Sequence, residues 1–376
     1  MLTEPQRSAD FPSLEGETYL NTAAEGVPPR QVIDALADYG RDKLRGMDGR
    51  ARHFERWAAA KRAVGRAYGL SEQEVGICSC TSEAYNLAAM ALQLRPGDEV
   101  VINDLDYPSG VSPWLAESCP ATVRVWRHRD WALHVEDLVP LLSGRTRLVS
   151  ASLVSFLNGF RLPLREVVEA TRRHSEALLA LDVTQALGRI PLDLRGVDLV
   201  VSSTHKWILA SHGGGLVGVP RERAGDWIVP AGGWFNLEDA FGPARFERVR
   251  HRPGAAGFTV GMPNFPAVYA IAAGLEYVLR VGVDAIARHA DPLVRRCREG
   301  LEELPVQIIT PRGEGATAGI VAFRHPAAAA VVQRLRERHI HIMGDAGRLR
   351  VSVHGYNTAQ DIDRLLTGLR EVLADV

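Results

Sequence analysis

Short apolar runs alternate with amphipathic stretches along the first two thirds of the chain. Most of the runs are continuously apolar, which is typical of strands covered on both faces rather than on one. The predicted strands are EVGICS, EVVIND, TVRVW, RLVSASLV, ALLALD, DLVVSS and GGGLVGV. Helices are predicted over residues 31–69, TSEAYNLAAMALQL and LREVVEATRRHSE, with Thr81 or Ser82 as the N-cap of the second. This pattern predicts an α/β fold with a mostly parallel sheet.

The pattern changes at about Phe258, where the Pro/Gly-rich stretch GFTVGMPNFPA begins. Two helical stretches, the strand-like pieces GIVAFR and LRVSVH, and a last helix over DIDRLLTGLREVL follow it. A length of 376 residues fits two domains at roughly 150 residues each. We therefore predict an N-terminal segment (1–20), a large domain (21–257) and a smaller α+β domain (258–376).

Composition and charge exclude several classes of protein. Hydrophobic residues make up 46% and charged residues 24%, which is ordinary for a globular protein. Because 44 basic and 45 acidic residues leave a net charge of -1, we expect no nucleic-acid partner. No apolar run reaches about 18 residues, so we expect no membrane partner either.

The cysteine content indicates a reduced, cytoplasmic protein. Four cysteines are too few for a disulfide scaffold of this size, and the N-terminus lacks the apolar core of a signal peptide. Cys78 and Cys80 are interpreted as buried strand thiols, because a metal site needs further Cys or His ligands nearby. We predict no metal site.

Reactive side chains follow several of the predicted strands. Asp182 ends ALLALD, Lys206 follows DLVVSS, Thr81 and Ser82 begin a helix after GICSC, and Tyr107 follows EVVIND. Ligands of open parallel sheets bind beyond the carboxyl ends of the strands, so these residues are candidates for one crevice. Taken singly, each also has an ordinary role as a solvated lysine, turn residue, helix cap or core aromatic.

Together these side chains match what pyridoxal 5′-phosphate requires. Burial depresses the pKa of a lysine such as Lys206 and lets its amine attack an aldehyde. If a carboxylate such as Asp182 lies about 4 Å from a protonated ring nitrogen, their attraction is roughly 4 kcal/mol at an effective dielectric near 20. The helix start at Thr81 and Ser82 suits a phosphate, and the ring of Tyr107 suits stacking.

The chain resembles the class V aminotransferases of fold type I, which include cysteine desulfurases, isopenicillin N epimerase-like proteins and kynureninase. The resemblance is most specific in LALDVTQALGRIPLDL, DLVVSSTHKW and RLRVSVHGYNTAQDID, and it extends from YLNTAAEG almost to the C-terminus. It implies a large domain with a mostly parallel seven-stranded sheet between helices, a smaller α+β C-terminal domain, pyridoxal 5′-phosphate as cofactor, and a homodimer.

The resemblance also implies roles for individual residues. Lys206 is the catalytic residue and holds the cofactor as a Schiff base, Asp182 pairs with the ring nitrogen, and Arg350 binds the substrate carboxylate. The cofactor-binding set is Thr81, Ser82, Tyr107, Asp182, Gln185, Ser203, His205 and Lys206. The substrate-binding set is Arg350, Asn21 and His53.

Three departures from the family pattern bear on the reaction. The stretch IHIMGDAGRLR lacks the loop cysteine that desulfurases carry before the carboxylate arginine, and Cys297 lies too far upstream to replace it. Tyr107 stands in place of a histidine above the cofactor ring. Met262 stands where relatives often have a threonine that reaches a partner subunit's phosphate.

The predicted function is class V aminotransferase-type chemistry on a small amino acid. The alternatives are a cysteine or cystine C–S lyase or desulfurase-like enzyme without a loop cysteine, an amino-acid epimerase, and a non-catalytic binding module of the same fold. A Rossmann-type dehydrogenase is disfavoured, because GGGLVGV precedes a strand instead of opening a helix.

Overall fold

The structure, a computed structural model, describes residues 4–313 and 315–375. Its α-helices are α1 (Glu4–Asp10), α2 (Arg30–Lys43), α3 (Arg50–Tyr68), α4 (Thr81–Leu92), α5 (Pro108–Leu115), α6 (Val135–Leu138), α7 (Leu164–His174), α8 (Phe265–Val281), α9 (Val283–Glu302), α10 (Ala328–Arg336) and α11 (Ala359–Ala374). Its strands are β1 (Thr18–Tyr19), β2 (Val75–Cys78), β3 (Glu99–Asn103), β4 (Thr122–Trp126), β5 (Thr146–Ser152), β6 (Leu178–Asp182), β7 (Leu199–Ser203), β8 (Gly215–Gly218), β9 (Leu237–Glu238), β10 (Arg250–His251), β11 (Gln307–Ile308), β12 (Ile320–Arg324), β13 (Ile340–His341), β14 (Met343–Asp345) and β15 (Arg348–Ser352).

A seven-stranded sheet in the order β2-β8-β7-β6-β5-β3-β4 forms the centre of the molecule. Strands β3 to β7 pair in parallel, and β8 pairs antiparallel with both β7 and β2. Every residue of β2, β3, β7 and β8 is buried, which is why these strands read as continuous apolar runs. The predicted fold class, including the mostly parallel seven-stranded sheet, is confirmed.

Helices cover both faces of this sheet. On β3, the side chain of Val101 joins a core with α3, α7 and α8, whereas Val100 and Ile102 join a core with α4 and α5. This division follows from the alternation of side chains along a strand. Within residues 4–313 and 315–375, no helix combines the length and apolar character needed to cross a membrane.

A second, antiparallel sheet has the order β11-β12-β15-β14 and packs against α9, α10 and α11. Strand β1 pairs in parallel with β13, which attaches residues 18–19 to this part of the molecule. Helix α8 lies beyond the predicted boundary at 257/258 but packs on α2 and α3 in the core of the large sheet. The exact domain boundary stays a prediction.

The single helix predicted over residues 31–69 is wrong, because the structure has two helices there, α2 and α3. A short 3-10 segment at Gly46–Gly49 separates them. Gly46 has a φ of +59°, a left-handed conformation that favours glycine, and a Cβ at Gly49 would collide with the carbonyl oxygen of Asp42. The two glycines therefore end one helix and allow the next to start beside it.

Substituting Leu369 by Ala tests the core of the smaller sheet. The Leu369 side chain is fully buried in the cluster that α9, α11 and β15 share, so its truncation should lower the free energy of unfolding by about 2–5 kcal/mol. Leu44→Ala is the matched control, because Leu44 is 89% exposed and its loss should cost less than about 0.5 kcal/mol. Urea unfolding followed by circular dichroism measures both, and equal losses would contradict this packing.

Candidate active site

A cavity of about 450 Å³ opens where the parallel strands β5, β6 and β7 end. The structure brings most of the predicted site residues to its wall: Thr81, Ser82, Tyr107, Asp182, Gln185, Ser203, His205, Lys206 and Arg350. These residues come from the ends of separate strands and the loops after them, from the start of α4 and from β15. They are distant in sequence, and the sheet topology brings them together. The predicted convergence on one crevice is therefore what the geometry shows, while the individual roles remain predictions.

Lys206 has the most altered environment among these residues. Burial lowers the pKa of Lys206 to about 8, and the nearby Arg350 acts in the same direction, while Asp182 and Glu25 oppose the shift. Its Nζ lies 5.3 Å from the centroid of the Tyr107 ring. A substantial fraction of the amine is therefore neutral near pH 7–8, which nucleophilic attack on an aldehyde requires.

The backbone around Lys206 is packed closely against the loop between β1 and α2. The amide of Gly26 donates to the carbonyl oxygen of His205 at 2.8 Å. A Cβ at Gly26 would collide with the carbonyl oxygen of Lys206, so only glycine permits this approach. The backbone at Lys206 is therefore held in place by a segment that is far from it in sequence.

Asp182 lies at the end of β6 with its carboxyl group buried. Its Oδ1 accepts a hydrogen bond from the Thr184 amide at 2.7 Å. Burial raises the pKa of Asp182, while the Thr184 hydrogen bonds and the Lys206 charge lower it. A cationic ring nitrogen in the cavity would offset the cost of burying this carboxylate.

The start of α4 offers donors to an anion. Thr81 and Ser82 are the first two helical residues, and Cys80, rather than either of them as predicted, is the N-cap. The interpretation of Cys80 as a buried strand thiol is therefore wrong, because it lies beyond the end of β2 and is exposed. No side chain caps this helix, so its first amide groups remain free to bind an anion. The buried hydroxyls of Ser203 and Ser109, which also line the cavity, have no hydrogen-bond partner among the described residues.

His205 adds a neutral ring beside this anion site. Burial, followed by the charges of Lys206 and His212, lowers the pKa of His205 to about 4. Its ring stacks on His212 with centroids 4.1 Å apart. At neutral pH the imidazole can therefore donate one hydrogen bond without carrying a charge.

A chain of hydrogen bonds positions Gln185. Its Oε1 accepts from the indole Nε1 of Trp207 at 2.6 Å, and its Nε2 donates to the carbonyl oxygen of Ala23 at 3.0 Å. The His354 Nε2 donates to the Trp207 carbonyl at 2.8 Å, while its Nδ1 accepts from the Gly355 amide. Trp207 follows Lys206 directly, so these bonds also restrain the lysine.

Arg350 projects into the cavity from the smaller sheet. Its Nη1 donates to the carbonyl oxygen of Phe156 at 2.8 Å, and its buried Nε has no partner among the described residues. Burial lowers the pKa of Arg350 to about 10, with a further contribution from Arg348. The guanidinium remains charged at neutral pH and can bind a carboxylate.

Two predicted substrate-binding residues, Asn21 and His53, do not line the cavity. His53 is buried, its Nδ1 lies 3.0 Å from the Tyr269 hydroxyl, and its ring stacks on Phe265. Asn21 forms a backbone bridge with Ser352, and its buried Oδ1 has no partner among the described residues. The structure therefore gives His53 a packing role and does not bring either side chain to the cavity wall.

The cavity also contains residues that were not predicted to bind a ligand. They are Ala23, Ala24, Ser109, Ser152, Val154, Phe156, Thr184, Met343, Asp345 and Arg348. Phe156 follows β5 and could have been found with the strand-end rule that identified Lys206. Arg348 could have been found from the alternation in RLRVS, because it lies two residues before Arg350 and shares its face of β15.

The stretch IHIMGDAGRLR forms a closed hairpin beside the cavity. Strands β14 and β15 pair antiparallel, and the turn between them consists of Ala346 and Gly347, which both have positive φ. Met343 and Asp345 on this hairpin line the cavity. No cysteine of residues 4–313 and 315–375 lines the cavity, which agrees with the missing loop cysteine in the sequence.

Residues 18–365 match the sequence profile of the family described as Aminotransferase class-V. The chain belongs to this family. The cofactor of the family is pyridoxal 5′-phosphate, so the cofactor prediction is confirmed. The broader functional prediction, an enzyme of the class V pyridoxal phosphate family, is confirmed as well.

Named proteins of several activities are similar to this chain. An uncharacterized aminotransferase of Bacillus subtilis (strain 168), YcbU, is 27% identical and covers 94% of this chain and 93% of its own length. A cysteine desulfurase of Salmonella gallinarum (strain 287/91 / NCTC 13346) is 28% identical, with 97% of each chain covered. The solved structure of the cystine C–S lyase C-DES with its product cysteine persulfide has a TM-score of 0.85 at 23% identity, covering 96% of this chain and 98% of that one.

Titration of Lys206 tests the electrostatics of the site. The sequence contains only three lysines, Lys43, Lys61 and Lys206, so amine labelling can be assigned by peptide mass spectrometry. In the chain freed of cofactor, labelling of Lys206 should rise with pH to half its maximum near pH 8, because the neutral amine reacts. An ordinary lysine would have its midpoint at about 10.4.

Asp182→Asn should move this midpoint downward, since the carboxylate favours the charged amine. Asp193→Asn is the control, because Asp193 lies outside the cavity, pairs with the exposed Arg195, and should leave the midpoint unchanged. A midpoint near pH 10 in the parent chain, or an upward shift in Asp182→Asn, would refute the proposed coupling.

Proposed function

We propose that this chain is a pyridoxal phosphate-dependent C–S lyase that acts on a cysteine-type amino acid. The observation that carries the proposal is a cavity that combines Lys206, Asp182 and Arg350 but has no cysteine on its described wall. Similarity to a cysteine desulfurase at 28% identity supports sulfur chemistry. Because no cysteine of the described cavity wall could accept sulfur, the sulfur would leave as sulfide or persulfide.

The residues present fit the cofactor. The unpartnered hydroxyls of Ser203 and Ser109 and the uncapped start of α4 suit its phosphate, and the buried Asp182 suits its ring nitrogen. Lys206 would hold it covalently, and Tyr107 would stack on its ring. Bound in this way, pyridoxal phosphate supplies an electron sink for a bond that breaks at the substrate Cα.

The protein's own residues would orient the substrate and move its protons. Arg350 would bind the α-carboxylate with the guanidinium N–H groups that Phe156 leaves free. Lys206, with a pKa of about 8 before cofactor binding, is the group able to take the Cα proton. Loss of that proton and of the Cβ–S bond from cysteine, followed by hydrolysis, gives pyruvate, ammonia and sulfide without a net oxidation or reduction.

Transamination is the second candidate function, and it is the one that the sequence analysis favoured. The 27% identity to YcbU, described as an uncharacterized aminotransferase, supports it. The same Lys206 and Arg350 would serve this reaction, in which the Cβ–S bond stays intact. A keto acid acceptor would then be required, and the amino group would be transferred instead of being released as ammonia.

Product analysis of the holoenzyme tests the proposal. With L-cysteine, and separately with L-cystine, C–S lysis should release pyruvate and ammonia in equal amounts, with sulfide from cysteine and persulfide from cystine. Lys206→Ala should reduce the rate at least 1,000-fold, in the upper half of the roughly 10²–10⁴-fold range usual for losing a general base, because the covalent attachment of the cofactor is lost too.

The cysteines provide the matched control for a desulfurase mechanism. Cys80 is exposed and Cys119 is half-buried, so either thiol is within reach of a reagent in solution. The double variant Cys80→Ser/Cys119→Ser should keep the parental rate if sulfur leaves directly. Alanine as a product together with a persulfide on the protein would overturn the proposal, and a keto acid that retains sulfur would support transamination.

We also propose that the chain forms a homodimer and works in the cytoplasm, as the family resemblance implies. Exposed aromatic side chains support a dimer, because a second subunit would cover them; among them are Phe241 at 77% and Phe246 at 87% exposure. Sedimentation equilibrium of the holoenzyme tests the oligomeric state, and a monomer at all concentrations would contradict it.

A further inference from the structure

A second buried arginine lies beside Arg350 in the cavity. Arg348 precedes it by two residues on β15, so both side chains leave the same face of the strand. Arg348 is 8% exposed and Arg350 is 3% exposed. Two guanidinium groups are thus removed from water within one small space.

The described residues provide no ion-pair partner for either guanidinium. Among residues 4–313 and 315–375, no carboxylate lies within ion-pair distance of Arg348 or Arg350, although Asp345 lines the same cavity. Buried charges are costly unless they are paired. Burial lowers the pKa of both arginines; the charge of Arg348 lowers that of Arg350 further, whereas for Arg348 the charge of Asp345 opposes the shift and that of Arg324 adds to it.

Each of the two side chains donates a hydrogen bond to a different backbone carbonyl. Arg350 Nη1 donates to the Phe156 carbonyl at 2.8 Å, and Arg348 Nη1 donates to the Leu157 carbonyl at 2.9 Å. The Arg348 guanidinium also lies over the Phe156 ring, 5.3 Å from its centroid. Arg348 Nη2 also donates to the Met343 sulfur at 4.0 Å. One N–H group of Arg350 and two of Arg348 are thus engaged, and most of the five donors of each remain for a ligand.

We propose that Arg348 binds a second anionic group, a carboxylate at the far end of the substrate's side chain, while Arg350 binds the α-carboxylate. This inference rests on the proposed function, which makes the ligand of the cavity an amino-acid substrate. Under the proposed C–S lysis it favours cystine, whose second carboxylate lies at the far end of the side chain, over cysteine, which has none. A substrate with one carboxylate would leave one of the two buried cations unpaired.

Matched pairs of amino acids without a leaving group test this assignment. Each acidic probe has an apolar partner of equal chain length: L-aspartate with L-2-aminobutyrate, L-glutamate with L-norvaline, and L-2-aminosuberate with L-2-aminooctanoate. Calorimetry on the purified holoenzyme should show at least one acidic probe binding tenfold or more tightly than its partner. Tenfold is about 1.4 kcal/mol, the lower range for a hydrogen bond to a charged group.

Arg348→Met should remove this preference while changing the affinity for the apolar partners by less than twofold. Arg348→Gln is a second variant that keeps a hydrogen-bond donor, and the unfolding midpoint of each variant checks that the fold is intact. Arg324→Met is the control, because Arg324 pairs in register with Arg348 but is exposed and lies outside the cavity wall. The preference should survive in this control.

The proposal is overturned if the parent holoenzyme prefers no acidic probe, or if Arg348→Met weakens acidic and apolar probes equally. The second result would mean that Arg348 helps to bind the α-carboxylate or only packs against Phe156. These binding measurements need no turnover. A failure of C–S lysis would appear in the product analysis alone, and the two hypotheses therefore fail separately.

Discussion

The site depends on the burial of one amine opposite one carboxylate. Lys206 loses hydration in the cavity and its pKa falls to about 8, while Asp182, also buried, pulls that pKa upward and has its own pKa raised by burial. Burying either group in its charged form costs free energy when no ligand is bound, because the charge is removed from water. A cofactor with an aldehyde for the amine and a ring nitrogen for the carboxylate satisfies both.

Holding these two groups together requires the whole architecture of the large sheet. Asp182 ends β6 and Lys206 follows β7, and the parallel pairing of these strands brings their carboxyl ends to one edge. The contacts around Lys206 then come from elsewhere: Gly26 from the loop between β1 and α2, and His354 from beyond β15. Much of the fold is therefore involved in positioning a single nitrogen atom.

The smaller sheet determines what can enter beside that nitrogen. Its β14–β15 hairpin closes in a two-residue turn, and no cysteine of the described residues lines the cavity beside it. The same hairpin presents Arg348 and Arg350 to the cavity. The same hairpin therefore supplies no thiol that could accept sulfur in the proposed reaction, and it supplies the positive charges that a substrate would meet.

The sequence by itself determined the strand runs, the fold class and nine of the residues that line the cavity, because buried parallel strands read as continuous apolar segments and their ends carry the reactive side chains. It also indicated the missing cysteine. Only the tertiary structure decided that residues 31–69 form two helices, that α8 packs under the large sheet, and that His53 lies in the core. These outcomes depend on contacts between segments distant in sequence, such as those of His53 with Tyr269 and Phe265, which local pattern does not encode. The placement of Arg348 beside Arg350 depends on both: alternation puts the two side chains on one face of β15, but only the tertiary structure shows that both are buried without an ion pair among the described residues.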